Sequence, residues 1–224
     1  IYNAGLQVPD DVTLIWCDDN YGYIRHFPTA EERARKGGNG IYYHVSYWGR
    51  PHDYLWLGTF SPYLLHQQMK LAYDRGIQKM WVLNVGDIKP AEYQIELFLD
   101  MAWNIDEVNE IGVTAHLKSW LGREFGSNCA EELLPAMEAH YQLSYIRKPE
   151  FMGNTREEER DPKYKVIKDL PWSEQTISER LRSYTVLSDV VERMESNIPA
   201  DRQDAYFQLV KYPVQAAAQM NRKI

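Results

Sequence analysis

The sequence is poor in cysteine and has no long apolar run. Its two cysteines, Cys17 and Cys129, are too few to scaffold a chain of 224 residues with disulfides, so they do not define a redox compartment. No stretch approaches the roughly 18 apolar residues that a membrane-spanning helix needs, and the first residues lack the pattern of a signal peptide. We therefore expect a globular protein without a membrane partner.

The sequence also lacks an excess of positive charge. Lys and Arg number 25 against 32 Asp and Glu, which gives a formal net charge of -7, and bases are mixed with acids along the chain. Nucleic-acid binding rests on clustered bases, so we exclude it. The sequence contains no HExxH, no paired CxxC and no glycine series for phosphate, and we therefore expect no metal and no cofactor.

Aromatic residues, in contrast, are abundant. Seven Trp and sixteen Tyr exceed what a core of this size needs. Rings with a polar tip suit surfaces that hold a sugar or a partner protein, although most such rings are packed inside proteins.

The first half of the chain has the pattern of an α/β protein. Three short apolar runs predict buried strands, at 13–17, 41–45 and 79–83. Helices are predicted after each strand, the first from a Thr29-x-x-Glu32 capping box, the second from Ser61 and the third from Pro90 through Trp103. Three consecutive βα units belong to an open α/β sheet or to a (β/α)8 barrel.

The second half has helical periodicity only. Helices are expected at about 109–124, 128–146 and 201–219 and in the apolar stripe after Ser173, with an exposed connector from Pro149 to Pro171. We predict two domains, the last part of a barrel in residues 1–105 and an α-helical bundle in residues 106–224. A start without Met, and too few units for a barrel, suggest a piece of a longer polypeptide.

Polar side chains follow each predicted strand, in the segments 18–20, 46–50 and 84–87. Parallel α/β folds bind ligands at the carboxyl ends of their strands. Asp18 or Asp19, together with Asp87, could supply the two carboxylates that an inverting glycosidase needs about 6.5 to 9.5 Å apart. Strand alternation sends Asp18 and Asp19 to opposite faces, so at most one is expected to point into the site.

His44 lies inside an apolar run, where a histidine is more often a satisfied core residue than a functional one. Its position just before a polar strand end supports the functional alternative. Cys17, with Asp18 and His44, could also form a cysteine nucleophile system, although a thiol at the end of a buried strand is usually inert.

Three long motifs carry a family resemblance. Residues 8–20 (VPDDVTLIWCDDN), 43–53 (YHVSYWGRPHD) and 83–92 (LNVGDIKPAE) closely resemble glycoside hydrolase family 115, which contains xylan α-1,2-glucuronidases. The resemblance implies a large enzyme with a (β/α)8 barrel followed by a helical domain. It also implies an inverting, cofactor-free release of glucuronic acid or its 4-O-methyl ether from glucuronoxylan or aldouronic oligosaccharides. A secreted or periplasmic location is expected for the full-length enzyme on the same basis.

The resemblance also implies a uronic-acid pocket that includes His44, Tyr47 and Asn84, with Asp18 or Asp19 lining it. The carboxylate of a hexuronate favours cations, for which Arg50 and Lys89 are further candidates, and its ring favours an aromatic such as Trp48. Two other hypotheses stay open: a non-catalytic fragment that acts as a helical interaction or dimerisation module, and a hydrolase that uses Cys17. The helical domain is also a candidate surface for a homodimer.

Overall fold

A small parallel sheet organises the first half of the molecule. This computed structural model describes residues 2–48, 54–151 and 171–223. Strands β1 (Leu14–Cys17), β2 (Asn39–His44) and β3 (Met80–Asn84) pair in parallel in that order. Each matches a predicted strand within two residues at either end. The register sets His44 opposite Asn84, so the ends of β2 and β3 are level.

The helices of this half begin at the predicted signals. In α1 (Ala30–Arg33), Thr29 and Glu32 form the capping box, although the helix is a single turn and ends before Gly37. The second helix, α2 (Pro62–Asp74), is capped by Ser61, whose side chain accepts a hydrogen bond from the amide of Leu64. The third, α3 (Glu92–Trp103), follows a 3-10 turn at Lys89–Ala91.

The second half consists of helices in the described residues. They are α4 (Ile105–Phe125), α5 (Ser127–Ile146), α6 (Glu174–Met194), α7 (Gln203–Tyr206) and α8 (Tyr212–Asn221), with a π-helical turn at Phe207–Lys211 joining the last two. The predicted helices 109–124 and 128–146 are therefore confirmed with small extensions. Most of the predicted connector, 152–170, lies outside the described residues.

Two apolar clusters form the core. One lies between the sheet and helices α2 and α3, and its centre is the β2 pair Ile41 and Tyr43. The other lies among α4, α5, α6 and α8. Helix α4 is kinked at Gly112, where φ is +77°. It contributes Val108 to the first cluster before the kink and Leu117 to the second after it.

The mixed α/β class with a parallel sheet is confirmed. The assignment of the sheet to a barrel, the assignment of the helices to a bundle and the domain boundary at residue 105 stay predictions. Among the described helices, none combines the length and the apolar character required to cross a bilayer.

Candidate functional site

The two faces of the sheet differ in chemistry. Alternate residues of a strand point to opposite faces, so one face carries Leu14, Ile41, Tyr43, Trp81 and Leu83 and packs against the helices. The other, which we call the open face, carries Ile15, Cys17, Tyr42, His44, Met80, Val82 and Asn84. Two apolar residues of the open face are well exposed, Ile15 at 40% and Met80 at 53%. Polar groups gather at its carboxyl end.

Asp18 and His44 form a buried pair at this end. The Oδ1 atom of Asp18 lies 2.5 Å from Nδ1 of His44, and the Asp18 side chain is 0% exposed. Its other oxygen accepts a hydrogen bond of 3.0 Å from the amide of Gly22. With a carboxylate as acceptor, the Nδ1 proton of the imidazole is held toward Asp18, which leaves Nε2 for another partner. In the described residues Nε2 has none.

Gly22 allows the loop after β1 to close around this carboxylate. Its φ of +88° lies in the left-handed region, and a Cβ at this position would collide with the ring of Phe60. Asn20, with a φ of +67°, is the one described non-glycine residue with positive φ, and it lies in the same loop. Backbone strain of this kind concentrates at functional sites.

Tyr42, Tyr47 and Asn84 surround His44. Asn84 donates a hydrogen bond from Nδ2 to the hydroxyl oxygen of Tyr42. The rings of Tyr42 and Tyr47 each lie edge-on to the imidazole, with centroids 5.1 Å from it. In the described part of the chain, the Oδ1 of Asn84 and the hydroxyl of Tyr47 make no hydrogen bond. These free groups leave the cluster able to bind a polar ligand.

Asp19 has a different environment. Its Oδ1 accepts hydrogen bonds from the amides of Tyr21 and Tyr23, and its Oδ2 lies 2.6 Å from the guanidinium of Arg25. Both oxygens therefore hold the loop and a surface cation. Of the two neighbouring acids, Asp18 is the one next to His44, as the strand alternation allowed.

The other predicted site residues are placed less centrally. Asp87 and Lys89 are exposed, and the charge of Lys89 acts on Glu92. Trp48 is 55% exposed and lies against Gly86, where a Cβ would collide with the indole. The predicted cation Arg50 lies outside the described residues.

A buried carboxylate from the helical half fixes the loop after β2. Glu150 accepts hydrogen bonds from three successive backbone amides, those of Leu55, Trp56 and Leu57, at 2.5 to 2.9 Å. Just before them, Ser46 donates its hydroxyl proton to the carbonyl of Tyr54, and the amide of Tyr47 donates to the same carbonyl. Glu150 thus supports the segment that positions Tyr47.

The geometry does not favour the cysteine hypothesis. Partial desolvation, together with the negative charge of Asp18, raises the pKa of Cys17. A raised pKa keeps sulfur as the less nucleophilic thiol at neutral pH. Among the described residues, the thiol of Cys17 also makes no hydrogen bond to His44, whose imidazole pairs with Asp18 instead.

Within the described ranges, one group of metal-ligand residue types occurs away from this site. Glu96, Asp100 and His116 bring ligand atoms within 4.8 Å of one another on α3 and α4. Glu96 pairs with Arg123, and Asp100 lies 3.0 Å from Nε2 of His116. Because both acids already have a side-chain partner, we interpret the group as a structural network of polar contacts.

Tyr42 and Glu150 were missed by the sequence reasoning. Tyr42 precedes His44 by two residues, so strand alternation alone could have placed it on the same face. Glu150 meets the amides of the β2 loop across a separation of 93 to 95 residues. No local pattern signals such a contact.

The chain is similar to a known protein family and to a solved structure. Residues 1–151 match the family described as glycosyl hydrolase family 115. A solved structure of a "family GH115 4-O-Methyl-alpha-glucuronidase, BtGH115A, with specificity for decorated arabinogalactans" is 74% identical, with a TM-score of 0.94. The match covers 99% of this chain and 29% of that one, so the chain spans less than a third of its relative. None of the curated proteins compared with the chain matches it.

Proposed function

This chain belongs to glycosyl hydrolase family 115, and we propose that it forms the uronate-binding part of an inverting α-glucuronidase. The observation that carries the proposal is the convergence of His44, Tyr47 and Asn84 at one end of the open face. Sugar hydroxyls and a carboxylate need several convergent donors and acceptors, and the free groups of this cluster provide them.

The proposed architecture is a section of a (β/α)8 barrel followed by a helical bundle. The three parallel strands carry helices on one face only, and the other face is partly exposed. This supports the proposal, because the inner face of a barrel is covered only when all eight strands are present. The open face then becomes the barrel interior. A homodimer through the helical half remains a prediction.

The proposed substrate is a polysaccharide that carries glucuronic acid or its 4-O-methyl ether. The sequence motifs imply glucuronoxylan, whereas the similar solved protein is specific for decorated arabinogalactans. Identity of 74% with that protein favours arabinogalactan as the first substrate to assay, with aldouronic oligosaccharides from xylan as the second.

In this proposal Asp18 is a positioning residue. Both of its oxygens are occupied and its side chain is fully buried, so it acts on the substrate through His44. An inverting reaction needs one carboxyl group to protonate the leaving oxygen and another to deprotonate water. Three acids were predicted to be catalytic: Asp18, Asp19 and Asp87. Asp87 is exposed and, in the described residues, makes no hydrogen bond or ion pair, so its carboxylate is available to a substrate. We propose that residues outside this chain complete the acid–base pair.

Removal of single hydroxyl groups tests the pocket. In the full-length protein, Tyr47→Phe should lower kcat/KM on uronate-decorated oligosaccharides by about 10- to 100-fold, because a hydrogen bond to a charged group contributes about 1.5–3 kcal/mol. Tyr212→Phe, at an exposed tyrosine of α8, is the matched control and should leave the rate unchanged. Equal rates for both variants and the wild type would refute the pocket. Absence of turnover by the wild type on every uronate-decorated substrate would favour the non-catalytic hypothesis.

A further inference from the structure

A concave surface lies between helices α2 and α5. It encloses about 610 Å³. Tyr63 and Gln67 line it from α2, one helical turn apart, and Glu138, Gln142 and Tyr145 line it from α5 at the same spacing. We call this surface the α2–α5 groove. Both walls therefore offer amide and phenol side chains, and the α5 wall adds the carboxylate of Glu138.

The lining chemistry fits an uncharged polyol. Gln67 and Gln142 are exposed and make no hydrogen bond in the described residues, so their donors and acceptors are available. Tyr63 and Tyr145 add partly exposed rings, and the hydroxyl of Tyr63 is held by Glu138 at 2.5 Å. Amides and carboxylates bind vicinal hydroxyls, and aromatic rings pack on sugar faces.

Other ligand classes fit less well. The described lining contains no Lys or Arg, and a phosphate-rich ligand needs cations. An amphipathic helix needs an apolar floor, but Leu64 is the only aliphatic side chain among the described lining residues.

The groove is connected to the candidate site by the loop after β1. The hydroxyls of Tyr145 and Tyr23 lie 2.7 Å apart, and the amide of Tyr23 donates to Asp19, next to Asp18. The groove also begins at Ser61, the N-terminal cap of α2, which lies on the side of the sheet where the strands end. A ligand in the groove and a ligand at His44 would therefore lie on the same side of the molecule.

We propose that the α2–α5 groove binds neutral sugar residues of the polysaccharide that carries the uronate. This inference rests on the proposed function and adds a second binding site for the same substrate. A polymer then contacts both His44 and the groove, whereas a short uronate-bearing oligosaccharide contacts only the pocket.

The test uses the full-length protein and two substrates. Gln142→Ala should raise KM for the decorated polysaccharide by about 3- to 10-fold, the effect of losing a typical hydrogen bond, and leave KM for a decorated disaccharide unchanged. Gln208→Ala is the matched control, because Gln208 is an exposed glutamine outside the groove. It should change neither constant. A Gln142→Ala variant with wild-type KM on both substrates would overturn the proposal.

A direct binding measurement separates this inference from the proposed activity. Arabinogalactan and xylan oligosaccharides freed of uronic acid are titrated into wild type, Gln142→Ala and Gln208→Ala by calorimetry. Binding that only Gln142→Ala weakens supports the groove even if no uronate is released from any substrate. If neither neutral oligosaccharide binds the wild type, or if both variants bind equally well, the groove is not a glycan site, whatever the enzyme's activity.

Discussion

The two faces of one strand, β2, have different surroundings. Ile41 and Tyr43 are 0% exposed and join the sheet to its helices, while Tyr42 and His44 alternate with them and point to the open face. The contrast is clearest for the neighbouring tyrosines. The hydroxyl of Tyr43 is satisfied internally by the carbonyl of Gly22, whereas that of Tyr42 accepts from Asn84 beside the candidate site. In the proposed function, stability and ligand binding are thus encoded by alternate residues of the same six-residue segment.

The largest expected difference between the faces is in stability. Ile41→Ala should lower the free energy of unfolding of this chain by about 2–5 kcal/mol, because it opens a cavity in a closed core. Ile15→Ala is the matched change on the open face and should cost less than about 1 kcal/mol, since Ile15 is already partly exposed. Denaturant unfolding of both variants measures this. Similar losses would show that the open face is as well packed as the other.

Two buried histidines give a second contrast, which lies in their hydrogen-bond partners. His44 has Asp18 as partner, whereas both nitrogens of His140 lack a hydrogen bond in the described residues. Burial lowers the pKa of His140 to about 4 from an ordinary value of 6.5. As the pH falls, His140 therefore binds a proton in the unfolded chain before it does so in the folded chain. Protonation of the unfolded chain lowers the free energy of unfolding, which is unaffected above pH 6.5 and decreases progressively toward pH 4. The loss amounts to about 3 kcal/mol.

Replacement of His140 isolates this effect. Between pH 6.5 and pH 4, the free energy of unfolding of His140→Leu should fall less than that of the wild type, because leucine cannot bind a proton. Unfolding curves at pH 7 and 4.5 give the comparison. Identical pH dependence in the two proteins would mean that His140 has the same pKa in the folded and unfolded chain, which would contradict this prediction.

The adjacent acids should differ in their effect on turnover. Asp18→Asn in the full-length protein removes the charge that holds His44 and should lower kcat by about 10- to 100-fold, the usual effect of losing a buried orienting carboxylate. Asp19→Asn has the same size change in the same loop, but Asp19 holds Arg25 and two amides instead. It should lower the melting temperature slightly and change kcat less than about threefold. A larger kcat loss for Asp19→Asn would reverse the assignment.

The sequence predicted the elements better than the contacts. Apolar runs bounded by turns located all three strands, and local caps at Thr29 and Ser61 located two helix starts, because these signals act within four residues. The long contacts had no such signal. Whether Asp18 or Asp19 turns inward depends on the loop conformation at Gly22, and the support of the β2 loop by Glu150 depends on how the helical half packs. The open face itself was predictable from alternation, but the role of His44 was not, because a core histidine has the same local pattern.

The central claim is that the open face binds the uronic acid and the covered face provides stability. It is tested most directly by measuring, on the full-length protein, both the affinity for 4-O-methylglucuronic acid and the melting temperature of Tyr42→Phe and Tyr43→Phe. Each variant loses one hydroxyl from neighbouring positions of β2. We expect Tyr42→Phe to weaken binding by about 3- to 10-fold at an unchanged melting temperature. Tyr43→Phe should lower the melting temperature and keep the affinity. The opposite pattern, or equal effects on both quantities, would contradict the account.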